Sequence, residues 1–479
     1  MNRTVSRRGF LQAGVLGAGA AALAACGATP AAQPATQVPT TAATAAGAEP
    51  TVAAASPATE GPTNVTWIVL PEDPRRAWYK YCTDTVPQQN PGITLELIEV
   101  TWTEYETKIN AMLAAGTPVD LWCQWGTNNF VDYTYKGMTL PVGDLIDAEN
   151  VDLSDFFPRW IEENKINGKL VGLPVYAGGS YVFYNADLLD AAGIAHPPTK
   201  WSSDGWTLDD FLANATALTK DYGNFEKGIY GDQGHLELED MCWGFGGEVW
   251  PKEAYRGIAT EILLDAPENI EAIQWWADLV CKHKVAPDPE AAGALEQAGI
   301  GGLAGGRAAM VPIGVWGFNQ AVAVESFKWG VAAVPKGKSL KVGIYADPIM
   351  IARTTEHPQA AFKAMLVITG DQALKELSSG SLWPSPRQSH LDLWAGKVIE
   401  KGSVNTADEA KECILGSWEY GQYAPMNDIA GYSQKTWDVV ISGLDPVWKC
   451  ETPAAELLPQ LKTAEDAALA ELKFSGVPW

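Results

Sequence analysis

The chain has 479 residues, 47% of them hydrophobic and 19% charged, with a formal net charge of −24. That length calls for two or more cores, and the balance fits a globular protein rather than a disordered or membrane-embedded one. So large an acidic excess repels nucleic acid, anionic headgroups and polyanionic substrates.

Ser6-Arg7-Arg8-Gly9-Phe10-Leu11 has the form of a twin-arginine signal. The Gly- and Ala-rich run that follows, to Ala25, is short for a membrane span. Leu23-Ala24-Ala25-Cys26 resembles a bacterial lipobox, which is cleaved before its Cys and lipidated there. Residues 1–25 are therefore expected to be a signal peptide and Cys26 the lipidation site. Residues 26–63, almost entirely Ala, Thr, Pro, Gly, Ser and Gln, read as a disordered tether. The expected location is extracytoplasmic, with the membrane reached through the lipid alone. The other cysteines are Cys82, Cys123, Cys242, Cys281, Cys413 and Cys450. Neighbour pairing (82 with 123, 242 with 281, 413 with 450) is the simplest disulfide pattern; free buried thiols are the alternative.

Val65 to Leu70 reads as a strand, Arg75 to Thr85 as a helix and Gly92 to Val100 as a strand. Tyr105, Ile109, Met112 and Leu113 fall on one face of a helix that Thr103 and Glu106 cap and Gly116 stops. A short strand, Val119 to Trp122, leads into a polar and aromatic loop, Cys123 to Asn128. Strand, helix, strand in this order predicts an α/β domain with ligands at the carboxyl ends of its strands. In Gly168 to Asn185 two β-rich runs flank Pro174 to Gly179; alone, that pattern favours a hairpin. Thr207 and Asp210 have capping-box spacing. Asp240 to Trp250 reads as a Gly- and Trp-rich loop, Asp265 to Lys282 as a helix, and Arg307 to Ile313 as a helix end running into a strand that ends at Gly314-Val315-Trp316. Trp329 to Val334 and Ile344 to Ala352 read as strands. Pro358 opens a helix, and Leu382 to Arg387 is a loop.

No strong catalytic motif is present, and the five histidines lack metal-ligand spacing. Asp147, Asn150, Asp152 and Asp155 mimic a calcium loop, but helix capping accounts for them better, so neither metal nor cofactor is expected. A glycosidase needs only two carboxylates, which leaves an enzyme open at this level. Trp125, Tyr176, Trp243, Trp316, Tyr345 and Trp383 all fall in or beside predicted loops at strand ends. Flat rings together with Glu72, Gln124, Asn128 and Arg387 suit the apolar faces and hydroxyl edges of a sugar. Core packing is the competing explanation for any one of the tryptophans.

Several segments in order resemble the extracellular solute-binding proteins of bacterial ABC importers, the maltose-binding-protein-like group. They are Thr103 to Gly116 with Thr117-Pro118-Val119-Asp120-Leu121; Asn167 to Pro174 with Phe183 to Leu189; Ala192-Gly193-Ile194 through to Trp206-Thr207; Gly306 to Met310; and Gly330 to Gly337. The resemblance implies a two-lobed α/β periplasmic-binding-protein-like fold (type II), with a ligand cleft between lobes joined by crossing strands. It puts one lobe at 64–175 plus 336–372 and the other at 176–335 plus 373–479. The stretch around Pro174 to Tyr181 then becomes a crossing rather than a hairpin, with Gly178 and Gly179 as hinge candidates. The ligand positions it implies are Glu72, Gln124, Trp125, Asn128, Tyr176, Gly178, Trp243, Trp316, Tyr345, Asp347, Trp383 and Arg387. The implied partners are a small carbohydrate and the permease subunits of an ABC importer, with no nucleic acid, and the chain is expected to be a monomer. A non-sugar ligand such as a polyamine or a phosphorylated alcohol, and an extracellular glycoside-cleaving enzyme, are the alternatives. Gly178 stands where some maltodextrin binders carry an acid, which argues against maltose itself.

Overall fold

Alternating and then continuous burial along Thr63–Val69 marks a strand that enters the interior of a sheet. The computed structural model describes residues 63–479, apart from 116, 118, 125–129, 203, 235, 433–436, 475 and 478. The leader, Cys26, the tether, Trp125 and Asn128 lie outside the described residues. In chain order the strands are β1 Thr63–Val69, β2 Ile93–Glu99, β3 Leu121–Cys123, β4 Thr139–Leu140, β5 Lys165–Ile166, β6 Lys169–Leu170, β7 Gly172–Pro174, β8 Gly178–Asn185, β9 Tyr230–Asp232, β10 Ala308–Gly314, β11 Trp329–Ala332, β12 Val342–Tyr345, β13 Pro348–Ala352 and β14 Gly421–Tyr423.

Among the described residues they form two six-stranded sheets and a small β5–β6 pair. The first sheet runs β2-β1-β3-β13-β4, with β7 also on β13. Its early strands are parallel, and β13 lies antiparallel to β3, β4 and β7. The second runs β14-β12-β8-β10-β9, with β11 also on β8. The chain passes between sheets at 175–177 and returns at 346–347. The hairpin pattern in Gly168 to Asn185 is thus split, β7 joining one sheet and β8 the other. Ile344 to Ala352, expected as one strand, is two strands in different sheets. Residues 342–345 lie within the range expected in the first lobe, yet pair with Gly178 and Gly179 of β8 and with β14.

Helices cover both sheets. Arg76–Gln89 runs four residues beyond the expected end and keeps Pro87 in its last turn. Trp78 and Tyr79 from this helix pack edge-on around Trp67 of β1, with centroids 4.9 and 5.2 Å away. Thr207 and Asp210 form the anticipated capping box. The stretch read as a loop from Asp240 is helical over Leu238–Gly244; a three-acid helix start followed by glycines at its end was the missed signal.

Neighbour pairing of cysteines does not occur. Cys281 is bonded to Cys450, and Cys82, Cys123, Cys242 and Cys413 are free and buried. The reason is packing: the helix Pro267–Cys281 lies against Asp445–Trp448, which brings the two Cα atoms within 5.6 Å. Among the described residues no helix is long and apolar enough to cross a membrane.

Candidate functional site

The registers place the two sheets end to end. In the first sheet the carboxyl end of β3 meets the start of β13, where the Gln124 N–H bonds Pro348 O at 3.0 Å. Pro174 of β7 pairs with Pro348. Gln124, Tyr176 and Asp347 therefore gather at one edge, with Glu72 after β1. In the second sheet Gly314 pairs with Ser180, and Tyr345 pairs with Gly178. Trp316, Tyr345 and Gly178 thus share the edge from which the crossings depart. The crossing backbone is itself satisfied: Val175 N–H bonds Asp347 O at 3.1 Å, Ala177 N–H bonds Pro384 O at 2.9 Å, and the Tyr423 hydroxyl bonds Ala346 O at 3.0 Å.

On the first-sheet side the rings of Tyr176 and Trp383 are 4.5 Å apart. Arg75, buried at 3% exposure, lies over Trp383 at 4.6 Å and 3.2 Å from the Glu72 carboxylate. Asp347 accepts from Asn427 Nδ2 at 2.7 Å and faces the Tyr176 hydroxyl. Burial pushes its carboxyl up to about 7, although Tyr176, Asn427 and Arg75 all favour the charged form. Gln124 Oε1 accepts from the Phe130 N–H at 2.8 Å, while its buried Nε2 has no hydrogen-bond partner among the described residues.

On the second-sheet side Trp316 meets Tyr345 edge-on at 5.2 Å. Gly314 has no Cβ because one would lie 2.3 Å from the Trp316 ring, so the ring can fold back over its own strand. Gly178 serves close approach too: a Cβ there would stand 2.3 Å from Val315 Cγ2. Both hinge-candidate glycines are paired strand residues rather than a loose turn.

Trp243 is buried, its indole N–H donating to Glu248 at 2.8 Å and the Lys341 ammonium lying 4.2 Å over its ring. Arg387 stands apart from the group. It bonds Asp155 at 3.2 Å and Thr369 O at 2.9 Å and covers Phe156 at 4.2 Å, work that ties a loop to the helix end at 369. Among the described residues the cation inside the group is Arg75, which the sequence places at the start of the helix expected over Arg75 to Thr85, ordinarily a solvated position.

Also missed was the acidic start of Leu238–Gly244. Asp240 is buried and accepts from the Ser180 hydroxyl and the Gly343 N–H. Glu239 is buried and accepts from the Trp250 indole at 2.8 Å. Burial raises Asp240 to about 6 and Glu239 to about 7. A small pocket behind this helix, lined by Leu236, Asp240, Phe245, Trp276 and Leu340, shares Asp240 with the group. Among the described residues no cluster of His, Cys, Asp and Glu is arranged to hold a metal ion.

Outside the group Arg256 clasps across the molecule. Its guanidinium meets Glu163 and, at 2.6 Å, Asp428, and its carbonyl accepts from the Tyr135 hydroxyl at 3.0 Å. Tyr176, Tyr345, Asp347 and Trp383 are all buried. Such an arrangement offers ring faces, amide donors and carboxylate acceptors to a polar ligand with apolar faces.

A family model described as bacterial extracellular solute-binding protein matches residues 71–375. A Brucella abortus (strain 2308) protein described only as a binding protein is 25% identical over 283 residues, 58% of this chain and 64% of that protein. The arabinooligosaccharide-binding protein of Bacillus subtilis (strain 168) is 21% identical over 279 residues, 57% of this chain and 60% of that protein. The chain thus spans under two thirds of these curated relatives. Among solved structures, the ABC substrate-binding protein Lmo0181 of Listeria monocytogenes in complex with cycloalternan superposes with a TM-score of 0.71 at 20% identity, over 85% of this chain and 99% of that one. This likeness gives the chain the two-lobed fold of such binding proteins.

Proposed function

The chain belongs to the bacterial extracellular solute-binding proteins, and from that premise we propose that it captures a sugar or oligosaccharide outside the cytoplasm and hands it to an ABC importer. The observation that carries the reading is two ring pairs, Tyr176 with Trp383 and Trp316 with Tyr345, set at the ends of the strands from which the crossings depart, with Asp347 and Asp240 buried nearby. Rings stack on sugar C–H faces while the carboxylates meet hydroxyls. The arabinooligosaccharide-binding relative of Bacillus subtilis and the Listeria structure in complex with cycloalternan support the same class.

The mechanism is hinge closure about the passages at 175–177 and 346–347. We place the change of lobe at these passages, so that 342–345 goes with the second lobe. A ligand that touches both edges favours the closed form; reversing a hundredfold preference takes roughly 5.5 kcal/mol of differential affinity. The twin-arginine leader and Cys26 fit export followed by lipid anchoring, with Gly27 to Thr63 as the tether of a monomer. The site holds and releases its ligand without chemistry in this reading. Calorimetric titration with a panel of mono- and oligosaccharides tests it: saturable binding of an unaltered sugar is expected. Turnover of the sugar, or binding by none of the panel, would overturn it.

A further inference from the structure

The loop over residues 382–387 carries Trp383, one ring of the proposed wall, and it is tied down from several sides. Trp383 O accepts from the Ser378 hydroxyl at 2.7 Å, and Pro384 O accepts from the Ala177 N–H of the crossing at 2.9 Å. A further tie is built from side chains alone. The His390 ring, 1% exposed, lies 2.9 Å through Nδ1 from Ser385 Oγ and 2.9 Å through Nε2 from Asp371 Oδ1.

The partners decide the tautomer. An ionised carboxylate only accepts, so Nε2 carries the proton and donates to Asp371. His390 first, and then Lys375, hold Asp371 below the usual carboxylate range. Nδ1 of the neutral ring is then an acceptor, and the Ser385 hydroxyl donates to it. Hydroxyl, imidazole and carboxylate in this order are the parts of an activated nucleophile. Here the Ser385 side is buried, and its Oγ also accepts from the Arg387 N–H at 3.3 Å. The row is therefore a brace, running from the first residue of the helix Asp371–Ser381 to the loop two residues beyond Trp383.

Such a brace depends on protonation. An imidazolium has a donor at both nitrogens. Ser385 Oγ would then receive two donors, and its own proton would lose its acceptor in buried surroundings, which is costly. The charges bearing on the ring are Asp371 and Lys375 of the helix and Arg387 of the loop, itself paired with Asp155 at 3.2 Å. Burial lowers the ring below the ordinary histidine value; Asp371 opposes this, and Lys375 and Arg387 add to it. The charged ring therefore forms on the acid side of about pH 6.5.

We propose that His390 is a positioning residue of the sugar site: its neutral ring seats Trp383 through Ser385, and a proton on Nδ1 unseats it, so that sugar affinity falls on acidification. The inference rests on the sugar-binding reading above and deepens it. The test is calorimetry on the full chain at about pH 7.5 and about pH 5, with whichever of glucose, galactose, maltotriose, cellotriose and arabinotriose binds. These sugars have no group that titrates in this range. Asp240 and Asp347, raised to about 6 and about 7, titrate in wild type and variants alike, so the readout is the affinity ratio of variant to wild type at each pH.

His390→Gln keeps a donor and an acceptor but takes up no proton. It should match wild type at the higher pH and bind roughly tenfold tighter than wild type at the lower. Ser385→Ala removes the hydroxyl that the proton displaces. It should bind more weakly than wild type at the higher pH, with the difference closing at the lower. Nitrogen NMR of the wild-type imidazoles should show one ring protonated at Nε2 that gains its second proton in step with the loss of affinity. Ratios that stay constant with pH in both variants, or no imidazole that titrates in step with affinity, overturn the inference and leave sugar binding intact. Binding by none of the five sugars overturns both.

Discussion

The Arg75 guanidinium lies over the Trp383 ring, 4.6 Å from its centroid, and both side chains are buried. Trp383 in turn packs against Tyr176 at the crossing. A charge on the first-sheet side thus backs two rings of the proposed sugar wall. Arg75→Met keeps the stem and removes the charge, so a loss of about 2 kcal/mol is expected from the cation–π contact. Sugar affinity should fall with it. Denaturant unfolding and calorimetry on the same preparation measure the two; unchanged stability would deny the contact any energetic role.

Trp316 is partly exposed at the edge of the second sheet. Truncating it leaves no closed core cavity, so folding should survive. Trp316→Ala is expected to weaken sugar binding by roughly tenfold or more through lost stacking. Titration of wild type and variant checks this, and equal affinities would remove Trp316 from the wall.

Burial raises Asp240 to about 6 and Glu239 and Asp347 to about 7. Their unfolded values are near 4. Between about pH 4 and pH 7 the folded protein therefore holds protons that the unfolded chain has released. Stability contributed by these groups is greatest at the acid end of that window and declines as pH rises through it. Melting temperature should drop from about pH 5 to about pH 7.5, and Asp347→Asn should flatten the slope. A melting temperature that climbs over this range would contradict the buried carboxyls.

Gly178→Ala puts a methyl 2.3 Å from Val315 Cγ2, inside a packed crossing. Overpacking of this kind costs about 1–3 kcal/mol. Because the clash sits where the sheets meet, the closed form should suffer first, with weaker ligand binding and a larger radius of gyration in small-angle scattering. A variant identical to wild type in both would show that the crossing has slack.

Cys281 and Cys450 are separated by 169 residues in sequence. Breaking so long a loop is expected to cost about 2–5 kcal/mol. Cys450→Ser should therefore melt lower than wild type, with sugar affinity unchanged, since the bond joins two helical segments away from the rings. Peptide mapping without reductant should find Cys82, Cys123, Cys242 and Cys413 alkylatable after unfolding.

Much of the fold was legible because local signals were strong. Periodicity along Trp102–Ala115, the Thr207 cap and the Pro at 358 each fixed an element from within a few residues. What failed was non-local. Nothing within Ile344 to Ala352 says that Tyr345 pairs with Gly178 while Pro348 pairs with Pro174. Cysteine partners likewise depend on which helices pack. Of the aromatic residues at strand ends, Tyr176 pairs with Trp383 and Trp316 with Tyr345, while Trp243 packs against Glu248 and Lys341. Arg75 and Asp240 were not, because a charge beside a turn or at a helix start ordinarily means a solvated surface. Only the tertiary fold turns those two inward. Arg387 shows the converse: a cation that seemed aimed at ligand is consumed by Asp155 and Thr369.

β13 has a bearing on how the molecule is made. This strand pairs with β3, β4 and β7, all encoded before residue 175. A ribosome that has translated both crossovers' worth of earlier strands still lacks the piece that stitches them together. The first sheet must wait, with unpaired edges, while the whole bulk of the second is synthesised. Completion of the first sheet is consequently a late event, and a chain cut before residue 348 keeps β1 paired with β2 and β3 but leaves β4 and β7 without their sheet partner.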